Sequence, residues 1–116
     1  MKTILVVDDE QDIRDTVKTI LDKNGYRVLL AVDGDDCLKK LKNSKVDLIL
    51  LDIMMPGTPV KVILKKIKNI PVIFLTVVRT SEVEKESMLD NKNILGFIQK
   101  PFSAEHLLGE VKKLVG

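Results

Sequence analysis

The chain has 116 residues, 45% hydrophobic and 31% charged, which fits one soluble folded domain and excludes a disordered or fibrous protein. A net charge of +2, basic residues spread over several segments and only 3% aromatic residues leave no basic stripe and no stacking platform for nucleic acid. No apolar run reaches membrane-spanning length, Met1 to Thr3 lead straight into a strand-like segment, and Cys37 is the single cysteine, so a cytosolic protein without disulfide or cysteine metal cage is expected.

Thr3 to Val7 (TILVV) predicts a strand that ends in acids: Asp8, Asp9, Glu10 and then Asp12. Ile13, Val17, Ile20 and Leu21 recur at helical spacing until Asn24 and Gly25 stop the helix. Arg27 to Ala31 predicts a second strand, and Asp33 with Gly34 opens a helix carrying Leu38 and Leu41 that ends near Asn43 and Ser44. Cys37 falls on this helix as a small buried side chain.

Val46 and Leu48 to Leu51 form an apolar run broken only by Asp47, the pattern of a strand buried on both faces, and the run stops on Asp52. After Pro56 and Gly57, Thr58 reads as an N-cap and Pro59 as the first residue of a third helix with Val60, Ile63, Leu64 and Ile67 on its stripe. Val72 to Leu75 predicts a fourth strand ending on Thr76. Ser81 and Glu84 have capping-box spacing for a fourth helix to about Leu89, whose sparse stripe of Val83 and Met88 makes it the least firmly packed. Leu95 to Gln99 predicts a fifth strand ending at Lys100 and Pro101, and Ser103 caps a last helix with Leu107, Leu108, Val111, Leu114 and Val115 inward. His106, the only histidine, is expected to be an exposed or interface residue on its first turn and not a phosphodonor.

Five strands alternating with five helices through short connections imply a doubly wound α/β domain, a parallel sheet with helices on both faces. In the strand order 2-1-3-4-5, ligands bind at the carboxyl edge between strands 1 and 3. Asp8, Asp9, Asp52, Thr76 and Lys100 all fall on that edge. Crowded carboxylates repel unless a cation sits among them, and an oxygen-only donor set points to Mg²⁺. Lys100 offers a point charge and Thr76 a hydroxyl to a phosphoryl group, which leaves Asp52 as nucleophile for an aspartyl phosphate.

The motifs ILVVDDE, LILLDIMMPG, PVIFLT and GFIQKPF make the whole chain, residues 1–116, resemble the receiver domain of two-component response regulators, a CheY-like, flavodoxin-like fold. The resemblance implies that Asp52 accepts a phosphoryl group from the phosphohistidine of a histidine kinase or phosphotransfer protein. It further implies that Asp9, Asp52 and the Met54 carbonyl hold Mg²⁺, with Asp8 acting through a metal-bound water. Thr76 and Lys100 would contact the phosphoryl group, Phe97 would be the switch aromatic, and Lys100-Pro101 would be cis. Output would pass through the fourth helix, fifth strand and fifth helix, a face also suited to a homodimer. The domain would be a phosphoacceptor, promoting its own phosphorylation and dephosphorylation, rather than an enzyme. Its further partner would be a downstream effector or output domain, which the sequence itself does not carry, and no nucleic-acid or membrane contact is expected of this domain.

Three departures stand out. Pro59 and Val60 replace the family's usual Asp-Gly, so a rebuilt loop and a shorter third helix are expected. Val77 follows the strand-end Thr where a small residue is usual, and Asn93 stands where Gly is common, suited to a left-handed helix stop. Two rivals fit less well: a haloacid-dehalogenase-type hydrolase needs an Asp where Met54 stands, and a dinucleotide site needs glycines where Asp8 to Gln11 stand. A receiver-fold interaction module that is not phosphorylated is the alternative function.

Overall fold

A computed structural model describes residues 1–55, 57–77 and 91–116. Five strands, β1 (Thr3–Val7), β2 (Arg27–Ala31), β3 (Leu48–Asp52), β4 (Val72–Thr76) and β5 (Ile94–Gln99), form one parallel sheet in the order β2-β1-β3-β4-β5. Four helices lie among the described residues: α1 (Gln11–Lys23), α2 (Gly34–Asn43), α3 (Val60–Lys66) and the C-terminal α4 (Ala104–Val115). The helix expected from Ser81 to Leu89 falls outside them.

Strand alternation sorts the aliphatic residues into two cores. On one side of the sheet Leu5, Val7, Ile49, Leu51, Val72 and Phe74 pack against Cys37 of α2 and Ile63, Leu64 and Ile67 of the α3 end. On the other, Ile4, Val6, Leu48, Leu50, Ile73 and Leu75 pack against Val17 and Leu21 of α1 and Leu107 and Val111 of α4. Each such side chain taken fully from water contributes roughly 1.5–3 kcal/mol, which is why β1, β3 and β4 tolerate no polar residue between their ends. Cys37 is buried as expected, and burial, aided by the nearby Asp36 charge, pushes its thiol up to about 11.

The acid that interrupts the third apolar run also holds the sheet together, because the Asp47 carboxylate accepts from the Thr3 backbone N–H at 2.8 Å. It thereby ties the amino ends of β1 and β3 to each other.

Helix ends follow their expected chemistry at most places. Gly25 at φ 86° closes α1, Asp33 accepts from the Asp36 N–H at 2.8 Å to start α2, and Ser103 accepts from the His106 N–H at 3.1 Å to start α4. His106 is exposed.

Two ends differ. The N-cap of α3 is Pro59 and not Thr58, with no side-chain cap, because the Thr58 hydroxyl is turned away to donate to Asp35 Oδ1 at 2.6 Å. Asn93 does not take a left-handed conformation, since no described non-glycine residue has positive φ. Its side-chain amide instead donates to the carbonyls of Ile67 and Ile70 at 3.0 and 2.9 Å, tying the residue before β5 to the connection between α3 and β4. The third helix is short, seven residues, as the sequence implied.

Candidate functional site

Register brings the acids together. Val7 pairs with Leu51, so the next residues of the two strands, Asp8 and Asp52, lie side by side at the carboxyl edge. Thr76 pairs with Gln99, which sets Lys100 one step beyond on the neighbouring strand, its backbone N–H donating to the Thr76 carbonyl at 2.7 Å. Alternation also assigns sides. Asp8, Asp52 and Lys100 continue the series of Val6, Leu50 and Ile98 on the α1/α4 side, whereas Thr76 continues that of Phe74 on the α2/α3 side.

Asp8 and Asp52 are buried, at 0% and 2% exposure, and each carboxylate is bonded the same way. One oxygen accepts a backbone N–H from two residues on: Glu10 N to Asp8 Oδ1 and Met54 N to Asp52 Oδ1, both at 2.9 Å. The other faces the buried Lys100 ammonium, 2.7 Å from Asp8 Oδ2 and 3.4 Å from Asp52 Oδ2. Burial holds the Asp52 carboxyl above its ordinary range; Asp8 adds to this, and the Met54 N–H and Lys100 oppose it. For Lys100 the balance is reversed: burial disfavours its charge, but the hydrogen bond to Asp8 and the charges of Asp52, Asp8 and Glu10 together outweigh it and raise its pKa.

Asp9 is exposed beside them, and Glu10 reaches back to Lys100 at 3.6 Å. Ligand oxygens of Asp8, Asp9, Glu10 and Asp52 all lie within 4.8 Å of one another. This is an all-carboxylate donor set able to accept a hard divalent cation, and such a charge would relieve the repulsion that Lys100 alone only partly offsets.

Two residues of this site carry no clear mark in the sequence: Glu10, the third acid of the DDE run, and Arg14, whose Nη1 donates to the Asp8 carbonyl at 2.8 Å. Glu10 was signalled only by its place in the acidic run. Arg14 had no signal beyond lying one turn into α1.

The remaining candidates lie around this cluster. Met54 is 62% exposed on the loop after Asp52. Thr76 is fully buried, and Phe97 is half-buried against Phe74 with ring centroids 5.7 Å apart. Lys100-Pro101 is cis. Val77 is 61% exposed, next to Thr76.

A family model, the response regulator receiver domain, matches residues 4–112. The chain belongs to this family. The transcriptional regulatory protein DltR of Streptococcus agalactiae is 38% identical to this receiver over 116 residues, covering 94% of the chain and 50% of DltR. The receiver thus spans about half the length of the curated relatives it matches. Among solved structures, the chemotaxis protein CheY4 of Vibrio cholerae superimposes with a TM-score of 0.87 at 30% identity, with 98% of each chain covered. The response regulator TrrA of Thermotoga maritima, solved in complex with Mg²⁺ and BeF, gives a TM-score of 0.83 at 36% identity, covering 98% of this chain and 99% of that one.

Proposed function

We propose that this receiver takes a phosphoryl group onto Asp52 from the phosphohistidine of a histidine kinase or phosphotransfer protein, and changes the surface it offers to an effector. The observation that carries this is the unequal sharing of Lys100. Held by Asp8 at 2.7 Å, the ammonium stands beside Asp52 without saturating it, leaving one buried carboxylate under-neutralised at the carboxyl edge of the sheet. In the transfer an Asp52 oxygen bonds to phosphorus as the bond to the imidazole nitrogen breaks, and that nitrogen keeps the electron pair. Lys100 meets the charge that collects on the phosphoryl oxygens, and the Met54 N–H keeps the carboxylate oriented.

Asp8, Asp9 and Asp52, with the Met54 carbonyl and with Glu10 alongside, form the group that would hold Mg²⁺. When bound, the ion neutralises the acids and the incoming phosphoryl oxygens. The likeness to TrrA, solved with Mg²⁺ and BeF, supports the choice of ion.

The added phosphoryl oxygens favour an arrangement in which the Thr76 hydroxyl donates to them and Phe97 moves into the space released, a population shift read out on the β5 and α4 face, where a homodimer could also form. The domain acts as a phosphoacceptor that promotes its own modification and demodification. None of the described helices is long and apolar enough to cross a membrane, in keeping with a cytoplasmic signalling role. The length and names of its transcriptional-regulator relatives support an output at the level of transcription.

Acetyl phosphate and Mg²⁺ followed by intact mass test this. One phosphate-sized gain on the wild type and none on Asp52→Ala is expected; no gain, or an equal gain on the variant, overturns the assignment.

A further inference from the structure

Past Asp52, Met54 carries the N–H that orients its carboxylate, and described residues on either side of position 56 are each held in place. Near Asp52, the side chains of Ile53 and Met55 pack onto the core on the α2/α3 side. On the other side the Thr58 hydroxyl donates to Asp35 Oδ1 at 2.6 Å, across 23 residues of sequence.

The residue on the other side of that bond is itself fixed. Asp35 lies in the first turn of α2, where Asp33 accepts from the Asp36 N–H at 2.8 Å and Asp36 accepts from the Val32 N–H at 3.1 Å. Gly34, next to Asp35, lets the two segments close. A Cβ there would collide with Ile63 Cδ1 and lie 3.2 Å from the Thr58 Cβ. With α2 pinned by its own caps, the Thr58–Asp35 bond constrains the loop and not the helix.

We propose that Thr58 and Asp35 are positioning residues for Asp52. By fixing the far end of the loop they hold the Met54 N–H on Asp52 Oδ1 and set where the Met54 carbonyl stands for a divalent cation. The inference rests on the reading of Asp52 as phosphoacceptor and metal ligand for its consequence, but not for its geometry.

Thr58→Val keeps the Cβ shape against Gly34 and removes the hydroxyl; Asp35→Ala removes the acceptor; Thr58→Ser keeps the bond. Amide hydrogen exchange and Mg²⁺ titration followed by NMR are read on each full chain. In Thr58→Val and Asp35→Ala the Met54 amide is expected to lose protection while the β1 and β3 amides keep theirs, and the Mg²⁺ dissociation constant to rise about tenfold. Thr58→Ser should match the wild type, and the double variant should be no worse than either single one. Unchanged Met54 exchange in both variants, or additive losses in the double variant, would overturn the pair. If the wild type bound no Mg²⁺ and took up no phosphate, the functional reading would fail, and the positioning claim would still be decided by Met54 exchange.

Discussion

Asp8 and Asp52 end neighbouring strands with the same device, Oδ1 on the N–H two residues ahead and Oδ2 toward Lys100, yet the ammonium stands 2.7 Å from one and 3.4 Å from the other. The turn after β1 passes at once into a thirteen-residue helix, and Arg14 on its first turns holds the Asp8 carbonyl. The turn after β3 runs through a longer loop to a seven-residue helix and relies on α2 for support. One acid is therefore the closer partner of the lysine, and the other is less fully neutralised by it. Local geometry alike in both turns is differentiated by what lies beyond it.

The largest break in this comparison comes from removing what the two acids share. Lys100→Met leaves Asp8 and Asp52 buried without their cation and is expected to cost about 3–5 kcal/mol in denaturant unfolding, part of it recovered by added Mg²⁺. A variant as stable as the wild type without metal would mean that the ammonium is not what the acids depend on. Gly34→Ala tests the borrowed support of the second turn. The new Cβ meets Ile63, and a loss of about 1–3 kcal/mol is expected, with NMR shift changes centred on the loop from Ile53 to Pro59 and not on Asp8 to Glu10.

A smaller effect of opposite sign separates the acids directly. Because burial raises the Asp52 pKa on folding, its contribution is most favourable below the unfolded-state value, and stability falls as the pH climbs through the folded-state one. Asp52→Asn is therefore expected to raise the Tm of the metal-free protein near neutral pH, by less than the Lys100 and Gly34 variants lower it. That gain should shrink on acidification toward the ordinary carboxylate range. Thermal melts of both proteins from neutral to acid pH check it, and a gain that does not change with pH would contradict it. The smallest expected effect is kinetic: Val77→Ala opens the edge beside Thr76 and should speed phosphorylation by acetyl phosphate or the subsequent hydrolysis, whereas unchanged rates would show that this side chain does not limit access.

The strands and the convergence of Asp8, Asp9, Asp52, Thr76 and Lys100 on one edge were legible because apolar runs ending on polar or charged residues have few other places to go, while the strand order came with the receiver-like pattern the sequence resembles. What the sequence hid depends on contacts between segments far apart in the chain. Thr58 has the composition of a cap, but Asp35 of α2 competes successfully for its hydroxyl. Asn93 has the composition of a left-handed stop, but the carbonyls of Ile67 and Ile70, between α3 and β4, claim its amide. Arg14 stands off the apolar stripe of the first helix, and only the fold brings the Asp8 carbonyl within its reach.

The ion pair between Lys100 and Asp8 joins residues 92 apart in the chain, so the two ends of the sequence depend on each other at the sheet edge. β2, β1 and β3, with both acids at their sheet edge, all lie in the first 52 residues. Their neutralising cation arrives only with residue 100, at the end of β5. A sheet of β2, β1 and β3 alone would bury two carboxylates with no cation between them, so the edge is compensated only when β5 takes its place.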